Sequence, residues 1–217
     1  MTKLTYGDLR QDYQAGSLEL EQVLPNPLHQ FKRWFDEAIA DNVAEPNAMT
    51  LATATKEGKP SARILLLKDI SEQGFVFYTN YESRKGQELA ENPYAAMVFL
   101  WLQHERQVRI EGKIEKVSKE ESAIYFNSRP KGSQIGAWAS PQSQTIESRA
   151  VLEDKVAALE LEYAADSAQI PMPDFWGGYI LLPQRIEFWQ GRSSRLHDRI
   201  CYEKNEAGAW EVRRLAP

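Results

Sequence analysis

The chain has 217 residues, of which 42% are hydrophobic and 26% are charged. This mixture is typical of a folded globular protein and excludes the disordered and low-complexity classes. The formal net charge of -5 argues against a general nucleic-acid binder, because such binding depends on a basic surface field, so only local basic clusters could hold anions.

The sequence contains one cysteine, Cys201, so neither an intramolecular disulfide nor a cysteine metal cluster can form. Residues 1–8 lack the apolar core of a signal peptide. The longest apolar run, residues 94–102, is far shorter than the ~18 residues that a membrane span needs. We therefore expect a soluble, cytoplasmic protein that contacts no membrane.

The first predicted helix follows a polar segment of two dozen residues, which reads as a loose arm or a short helix. Asn26 and Pro27 predict the helix start, because Asn caps a helix and Pro fits its first position. Apolar residues then recur at helical spacing. They are Leu28, Phe31, Phe35 and Ile39, with Trp34 and Ala38 widening the face.

Strand and helix patterns alternate through the rest of the chain. Strands are predicted at residues 48–55, 62–68, 74–79, 94–102, 108–117, 179–189, 199–203 and 210–214, helices at 83–91, 119–127 and 147–165, and a loop at 169–178. Residues 62–68 are apolar on both faces, which predicts a central strand. The strands form meander-like runs with few helices between them. This order favours an α+β fold around an antiparallel barrel over a doubly wound sheet.

Motifs of several enzyme classes are absent from the sequence. There is no Walker-type or dinucleotide-type glycine-rich loop and no Gly-x-Ser-x-Gly elbow. The histidines His29, His104 and His197 are far apart. A P-loop enzyme and a zinc hydrolase are therefore disfavoured.

Residues 77–85 run from a predicted strand into a predicted helix, with Ser83 as its cap and Arg84 and Lys85 in its first turn. Cations at this end oppose the helix dipole, which prefers negative charge there. A phosphate between them would resolve the conflict. The alternative is a solvated surface pair, and spacing alone does not decide between the two.

A second basic cluster spans residues 125–133, where Tyr, Arg, Lys and Ser surround a break between helix and loop. It could hold a phosphate dianion through charge-assisted hydrogen bonds, or it could be an ordinary helix end. Arg63 and Lys68 flank the apolar segment 64–67 and could supply further cations.

A third cluster spans residues 187–199, where a strand ends in aromatic residues and a Gly/Ser loop follows. If this segment is extended, alternation places Arg195, His197 and Arg199 on one face. Three cations on one face repel each other unless an anion joins them. Several anion sites in an acidic chain indicate small phosphorylated ligands, more than one of them.

These clusters lie within segments that resemble the pyridoxine/pyridoxamine 5′-phosphate oxidase family of flavin enzymes. The similar segments are collinear and span nearly the whole chain. They are residues 63–68, 77–80, 83–85, 105–108, 125–126, 128–130, 133–138, 175–178, 186–191, 195–199 and 214–217. The weakest similarity is at the start, where only residues 9–13 resemble the substrate-covering arm of the family.

The resemblance implies an FMN-binding split β-barrel, an antiparallel α+β fold with flanking helices. It implies an N-terminal arm at residues 1–24 and a single FMN-binding domain at residues 25–217. It also implies a homodimer with two FMN molecules at the subunit interface.

By the same resemblance, both subunits contribute to the FMN site. The residues expected on one subunit are Arg63, Ile64, Leu65, Leu66, Leu67, Lys68, Tyr78, Thr79, Arg84, Lys85 and Gln107. Those expected from the partner are Gln142, Ser143, Trp189 and Arg199. In this scheme Arg63, Arg84 and Lys85 hold the FMN phosphate with help from Thr79, while Tyr78 and Lys68 lie along the flavin.

The resemblance also implies the substrate site and the reaction. The substrate phosphate would meet Lys68, Tyr125, Arg129 and Ser133, with Arg10 and Tyr13 of the arm also binding substrate. Arg195 and His197 would cover the pyridine ring at the reacting carbon and are the expected catalytic residues. A hydride would pass from pyridoxine or pyridoxamine 5′-phosphate to the flavin, and O2 would then reoxidise the flavin and give H2O2. The products would be pyridoxal 5′-phosphate and, from the amine, ammonia.

The competing hypothesis is a split-barrel protein that binds flavin without catalysis, because fold does not fix function. A pure flavin binder would not need the substrate set, and all of its members are present: Tyr125, Arg129, Ser133, Arg195 and His197. A nucleic-acid binder is disfavoured by the charge and by the lack of an interleaved basic and aromatic run.

Overall fold

The computed structural model describes residues 9, 12–165 and 169–217. Its helices are α1 (Pro27–Ala40), α2 (Arg84–Glu91), α3 (Lys119–Ser128), α4 (Lys131–Ala139) and α5 (Ala150–Glu162). Its strands are β1 (Ala48–Ala54), β2 (Pro60–Leu66), β3 (Asp69–Ile70), β4 (Phe75–Asn80), β5 (Tyr94–Trp101), β6 (Arg106–Lys116), β7 (Trp176–Gln190), β8 (Asp198–Lys204) and β9 (Trp210–Leu215). Short 3-10 turns occur at Leu20–Gln22, Leu102–His104 and Ser193–Arg195.

The described strands form one antiparallel sheet in the order β2-β1-β5-β6-β7-β4-β3, and β8 and β9 continue from β7. The long strand β7 pairs with β4 in its first half and with β8 in its second. Strand β6 follows both halves of β7, with a register shift at Glu111/Gly112. The sheet therefore curls into a half-barrel flanked by the helices, which confirms the predicted antiparallel α+β class.

Helix α1 covers the core, and it begins as predicted. The Asn26 side chain accepts a hydrogen bond from the Leu28 backbone N–H at 2.8 Å, and Pro27 occupies the first turn. Phe31 is fully buried against core aromatic rings. Ile39 was predicted on the buried face but is 52% exposed, because the buried face of the helix runs through Phe31, Trp34 and Ala38.

Strand β2 corrects the prediction that residues 62–68 form a central strand. Among the described strands it pairs only with β1, so it is an edge strand. Ile64 is 65% exposed and Leu66 is 37% exposed on its outer face. Apolar residues on both faces of an edge strand are typical of a surface that another molecule covers.

Two further local predictions were wrong. Helix α4 was not predicted, because Gly132 and Gly136 within it have low helix propensity. The loop predicted at residues 169–178 is shorter than expected, because β7 begins at Trp176. In the part of the chain that the structure describes, no helix is both long enough and apolar enough to cross a membrane.

Candidate active site

The connection from β4 to α2 places two cationic side chains beside the end of β4. The Ser83 hydroxyl accepts a hydrogen bond from the Gly86 N–H at 3.4 Å, so Ser83 caps α2 as predicted. Gly86 packs so closely on the preceding turn that a Cβ there would lie 2.1 Å from the Tyr81 carbonyl oxygen. The first turn of α2, which carries Arg84 and Lys85, is therefore fixed against the sheet.

We expect Gly86→Ala to lower the free energy of unfolding by about 2 kcal/mol or more, because the added methyl must displace backbone atoms. Thermal unfolding of the purified variant measures this. Gly132→Ala is the matched control, since a Cβ at Gly132 in α4 meets nothing within 4 Å. Equal melting temperatures for the two variants would contradict the close approach.

Lys85 is buried and surrounded by neutral acceptors. Its Nζ donates to the hydroxyls of Thr79 and Ser83, both at 3.2 Å, and to Gln142 Oε1 at 2.6 Å. Burial and the nearby charge of Arg63 lower the pKa of Lys85 to about 8. A cation held in this way favours an anionic ligand, because the ligand would compensate the loss of hydration.

Arg63 reaches the same region from β2. Its terminal nitrogens donate to the Leu51 carbonyl oxygen at 3.1 Å and to the Thr53 hydroxyl at 2.6 Å. One of them lies 3.4 Å from a carboxylate oxygen of Glu88, whose other oxygen accepts from Arg84 Nε at 2.9 Å. Arg63 and Arg84 therefore share one carboxylate, and with Lys85 nearby the cluster carries three cations against one anion, an excess of two positive charges.

This charge excess at the start of α2 fits a phosphate monoester dianion. Of the two cations in the surface-pair alternative, Lys85 is buried, whereas the side chain of Arg84 is 64% exposed. The alternative therefore fails for Lys85, and Arg84 remains accessible to a ligand.

The second cationic centre is Arg129, which lies against a stack of three aromatic rings. The Tyr78 ring centroid is 4.0 Å from that of Tyr125 and 5.5 Å from that of Trp176. The Arg129 guanidinium carbon is 4.8 Å from the Trp176 centroid, and one terminal nitrogen donates to the Ser133 carbonyl oxygen at 2.8 Å. Desolvation by burial raises the pKa of Tyr78 to about 12, with a smaller contribution from nearby negative charge.

Arg129 retains binding capacity for an anion. Its Nη1 is buried and has no hydrogen-bond partner among the described residues, and burial lowers the pKa of the guanidinium. Arg129, Ser133, Trp176 and Gln142 line a cavity of about 280 Å³. Gln142 also contacts Lys85, so the two cationic centres adjoin each other.

A third group of side chains lines a cleft of about 680 Å³ beside the loop after β7, with Tyr13, Arg195 and His197 in its wall. The His197 ring lies 4.6 Å from the Trp189 ring and 5.8 Å from the Tyr13 ring, centroid to centroid. The Arg192 backbone N–H donates to His197 Nδ1 at 3.1 Å. In the neutral ring the proton is therefore on Nε2.

The structure corrects the prediction that Arg195, His197 and Arg199 share one face of an extended segment. Ser193–Arg195 is a 3-10 turn, and Ser194 and Arg195 have φ of 55° and 62° in the left-handed region. Arg199 instead pairs with the buried Glu187, with Nε and Nη2 each 3.0 Å from a carboxylate oxygen. The anion that joins Arg199 is therefore a protein side chain.

Family models match most of the chain. Residues 35–163 match the model described as pyridoxamine 5′-phosphate oxidase, and residues 176–217 match the pyridoxine 5′-phosphate oxidase C-terminal dimerisation region. The chain belongs to the pyridoxine/pyridoxamine 5′-phosphate oxidase family. It is an oxidoreductase with a flavin cofactor, and its dimerisation region indicates a homodimer.

Close relatives in this family cover the chain from end to end. Pyridoxine/pyridoxamine 5′-phosphate oxidase 1 of Ralstonia nicotianae is 58% identical over 97% of this chain and 98% of its own length. The enzyme of Paraburkholderia phymatum is 56% identical over 98% and 99%. That of Salinibacter ruber is 55% identical over the full length of both chains.

Solved structures confirm the split-barrel fold. PhzG from Burkholderia lata, solved with tetrahydrophenazine-1-carboxylic acid, has a TM-score of 0.86 at 31% identity and covers 93% of this chain and 100% of its own. A pyridoxamine 5′-phosphate oxidase-related, FMN-binding protein from Nostoc punctiforme has a TM-score of 0.68 at 16% identity, over 86% of this chain and 97% of its own.

Within one chain, the predicted site residues lie in two separate groups. The α2 group contains Arg63, Tyr78, Thr79, Arg84, Lys85, Tyr125, Arg129, Ser133 and Gln142. The β7 group contains Tyr13, Gln107, Trp189, Arg195 and His197, where Gln107 pairs with Trp189 across β6 and β7. The cavity around Arg129 and the cleft around Arg195 share no described lining residue.

Gln142, which the resemblance assigns to the partner's side of the FMN site, contacts Thr79 and Lys85 of its own chain. Ser143 follows it in an exposed turn with φ of 71°. Lys68 is exposed and lines a separate cavity of about 240 Å³. Of the neighbouring residues 64–67, Ile64 and Leu66 face outward, Leu65 is half-buried, and Leu67, which follows β2, is buried. Arg10 lies outside the described residues.

Glu88 and Trp176 belong to the site but were not among the predicted site residues. Glu88 follows Arg84 by four residues on α2, and this spacing alone predicts an ion pair between the two side chains. Trp176 lies in a segment that resembled the family, but no local pattern links it to Arg129. That contact joins residues 47 positions apart through the tertiary fold.

Proposed function

We propose that this chain is an FMN-dependent oxidase that converts pyridoxine 5′-phosphate or pyridoxamine 5′-phosphate to pyridoxal 5′-phosphate. The observation that carries the proposal is the pair of adjoining cationic centres, around Lys85 and around Arg129, each suited to one phosphate monoester. When bound, FMN supplies the hydride acceptor and the reaction with O2 that yields H2O2.

We assign the FMN phosphate to the centre at the start of α2. Arg84 and Lys85 would bind it directly, with Thr79 as a hydroxyl donor and Arg63 as a further positive charge. Residues 64–68, at the end of β2 and directly after it, and the Tyr78 ring would contact the flavin. The exposed apolar side chains of β2 support this placement, since a flavin ring or a partner subunit would cover them.

The substrate phosphate is assigned to Arg129, Ser133 and Tyr125, with Lys68 as a further cation. Arg129 Nη1 supports this assignment, because a buried guanidinium N–H without a partner is costly unless a ligand accepts its hydrogen bond. The Trp176 ring beneath the guanidinium limits the directions in which Arg129 can turn.

Arg195 and His197 are proposed to act on the substrate from the other subunit. Their cleft shares no described lining residue with the Arg129 cavity. Both residues lie within residues 176–217, which match the C-terminal dimerisation region of the family. Dimerisation would place the cleft of one subunit against the cavity of the other, with FMN at the interface. Arg192 fixes the His197 ring so that its Nε2–H is available as a donor to the substrate.

No general base is assigned to Asp198. Its oxygens accept hydrogen bonds from the Leu18 N–H at 3.0 Å and from Arg192 and Arg214 at 3.0 and 2.7 Å. Although burial raises the pKa of Asp198, these contacts lower it below its usual value. The chain's contribution is therefore alignment of the reacting carbon, which can remove roughly 7–11 kcal/mol of a barrier.

We expect the purified protein to be yellow and to consume O2 when given pyridoxine 5′-phosphate. Unphosphorylated pyridoxine at the same concentration is the matched control, and its rate should be at least about a hundredfold lower because it lacks the charged anchor. A flavin-loaded protein that consumes no O2 with either phosphorylated vitamer would support the binding-only hypothesis. Turnover of a reduced phenazine carboxylate alone would indicate a substrate like the PhzG ligand instead.

A further inference from the structure

A buried carboxylate lies among the cations that we assign to the FMN phosphate. Glu88 is 4% exposed. Its Oε1 accepts from Arg84 Nε at 2.9 Å, and its Oε2 accepts from the Ser61 hydroxyl at 2.6 Å and from the Thr53 hydroxyl. Although burial raises its pKa, these hydrogen bonds lower the pKa of Glu88 to about 2, so the group is an anion at any working pH.

An anion at this position repels a phosphate dianion, so its presence needs a compensating role. The contacts indicate what that role is. Glu88 occupies the Nε edge of Arg84 and leaves both terminal nitrogens of that guanidinium for another acceptor. The Arg84 side chain is otherwise 64% exposed, and fixing a free side chain of this length before binding saves the entropy that the ligand would have to supply.

Glu88 also helps to fix Arg63 on the opposite side of the cluster. Four acceptors surround the terminal nitrogens of Arg63: the Leu51 carbonyl, the hydroxyls of Thr53 and Ser61, and Glu88. Thr53 and Ser61 donate in turn to Glu88. Both guanidinium groups are therefore held by one carboxylate and its hydroxyl partners.

We propose that Glu88 is a positioning residue for the FMN phosphate, which it serves by fixing Arg84 in its binding orientation and by holding the charge of Arg63 beside it. The proposal rests on the assignment of the FMN phosphate to the α2 cluster. The alternative, that Glu88 only offsets surplus positive charge, predicts the opposite result. Removing a nearby negative charge would then strengthen phosphate binding.

The test measures FMN and riboflavin dissociation constants by flavin fluorescence on the apoprotein, because riboflavin lacks the phosphate. For Glu88→Gln and Glu88→Asp we expect FMN to bind about tenfold more weakly, the loss of roughly one charge-assisted hydrogen bond, and riboflavin to bind as before. Glu91→Gln on the same helix is the matched control, since Glu91 is exposed, and it should leave both constants unchanged.

Unchanged or tighter FMN binding by Glu88→Gln would overturn the positioning role, and so would an equal loss for both ligands, which marks a structural role. If Glu88→Gln does not fold, Ser61→Ala removes one hydrogen bond to Glu88 and one acceptor of Arg63 but keeps the charge of Glu88, and it should weaken FMN binding selectively. Parent protein that binds FMN no more tightly than riboflavin would instead overturn the phosphate site itself.

Discussion

Arg195→Ala is expected to lower kcat/KM for pyridoxine 5′-phosphate by about a hundredfold or more, the usual effect of removing one preorganised donor from a reacting centre. The flavin content and the melting temperature should stay at their parent values. Arg195 is exposed, and its guanidinium makes no hydrogen bond to the residues that the structure describes, so the fold does not depend on it. Steady-state kinetics and thermal unfolding of the same preparation measure both effects.

Two further variants isolate the role of the guanidinium. Arg149→Ala removes the same kind of side chain from an exposed site directly before α5. Among the described residues Arg149 pairs only with Glu153, so this variant should leave activity unchanged. Arg195→Gly should lose the same activity as Arg195→Ala but melt at a higher temperature, because glycine accepts φ of 62° without strain. Arg195→Ala with parent kinetics, or an unfolded Arg195→Ala, would contradict the catalytic assignment.

Lys85→Met is expected to weaken FMN binding by about a hundredfold without lowering the melting temperature of the apoprotein. Two separate effects explain why FMN binding should weaken while the apoprotein stays stable. The buried ammonium is costly when no anion is bound, as its lowered pKa shows, and Met fills the same space without charge. The FMN phosphate, in contrast, loses a charge-assisted hydrogen bond. Titration of apoprotein with FMN and thermal unfolding without FMN measure the two effects, and a strongly destabilised apoprotein would contradict the account.

The pKa of Lys85 gives this prediction a pH dependence. The folded value of about 8 lies below the ordinary value of 10.5, so the unfolded chain binds more protons between these limits. The stability of the apoprotein at this site therefore increases as pH rises from about 8 to 10.5, and the burial cost is fully present below pH 8. FMN affinity should decrease over the same window as Lys85 loses its proton. An affinity that stays constant from about pH 7 to 10 in the parent would contradict the assignment.

The start of α2 shows which part of the site could be predicted from sequence. Ser83, Arg84 and Lys85 are neighbours along the chain, and helix capping depends only on such neighbours, so the cap and its two cations were correctly placed. Their meeting with Gln142 could not be derived this way, because it joins residues 57 positions apart. Only the family resemblance suggested Gln142 as a site residue.

The segment after β7 shows why the remaining predictions failed. Alternation along residues 195–199 assumes an extended backbone, but the left-handed residues Ser194 and Arg195 turn the chain before β8 begins. Arg199 then reaches Glu187, its diagonal neighbour across the β7–β8 pairing. The strand pattern alone carried no signal for this turn, since left-handed conformations are uncommon for both residue types.

Strand β2 shows a different limit of prediction from sequence, which concerns surfaces that another molecule covers. Its sequence is apolar on both faces, which is the pattern of a central strand, yet it lies at the sheet edge with Ile64 exposed. A surface that is covered by a ligand or by a second subunit has the composition of a core. Periodicity within one chain does not distinguish the two cases.

The most direct test of the central claim, that two cationic centres hold FMN and a phosphorylated vitamin in one oxidase, is an anaerobic titration followed by visible absorbance. Pyridoxine 5′-phosphate should bleach the bound flavin, and admitting O2 should restore its colour and release pyridoxal 5′-phosphate. Flavin that stays fully oxidised in the presence of both pyridoxine and pyridoxamine 5′-phosphate would contradict the account.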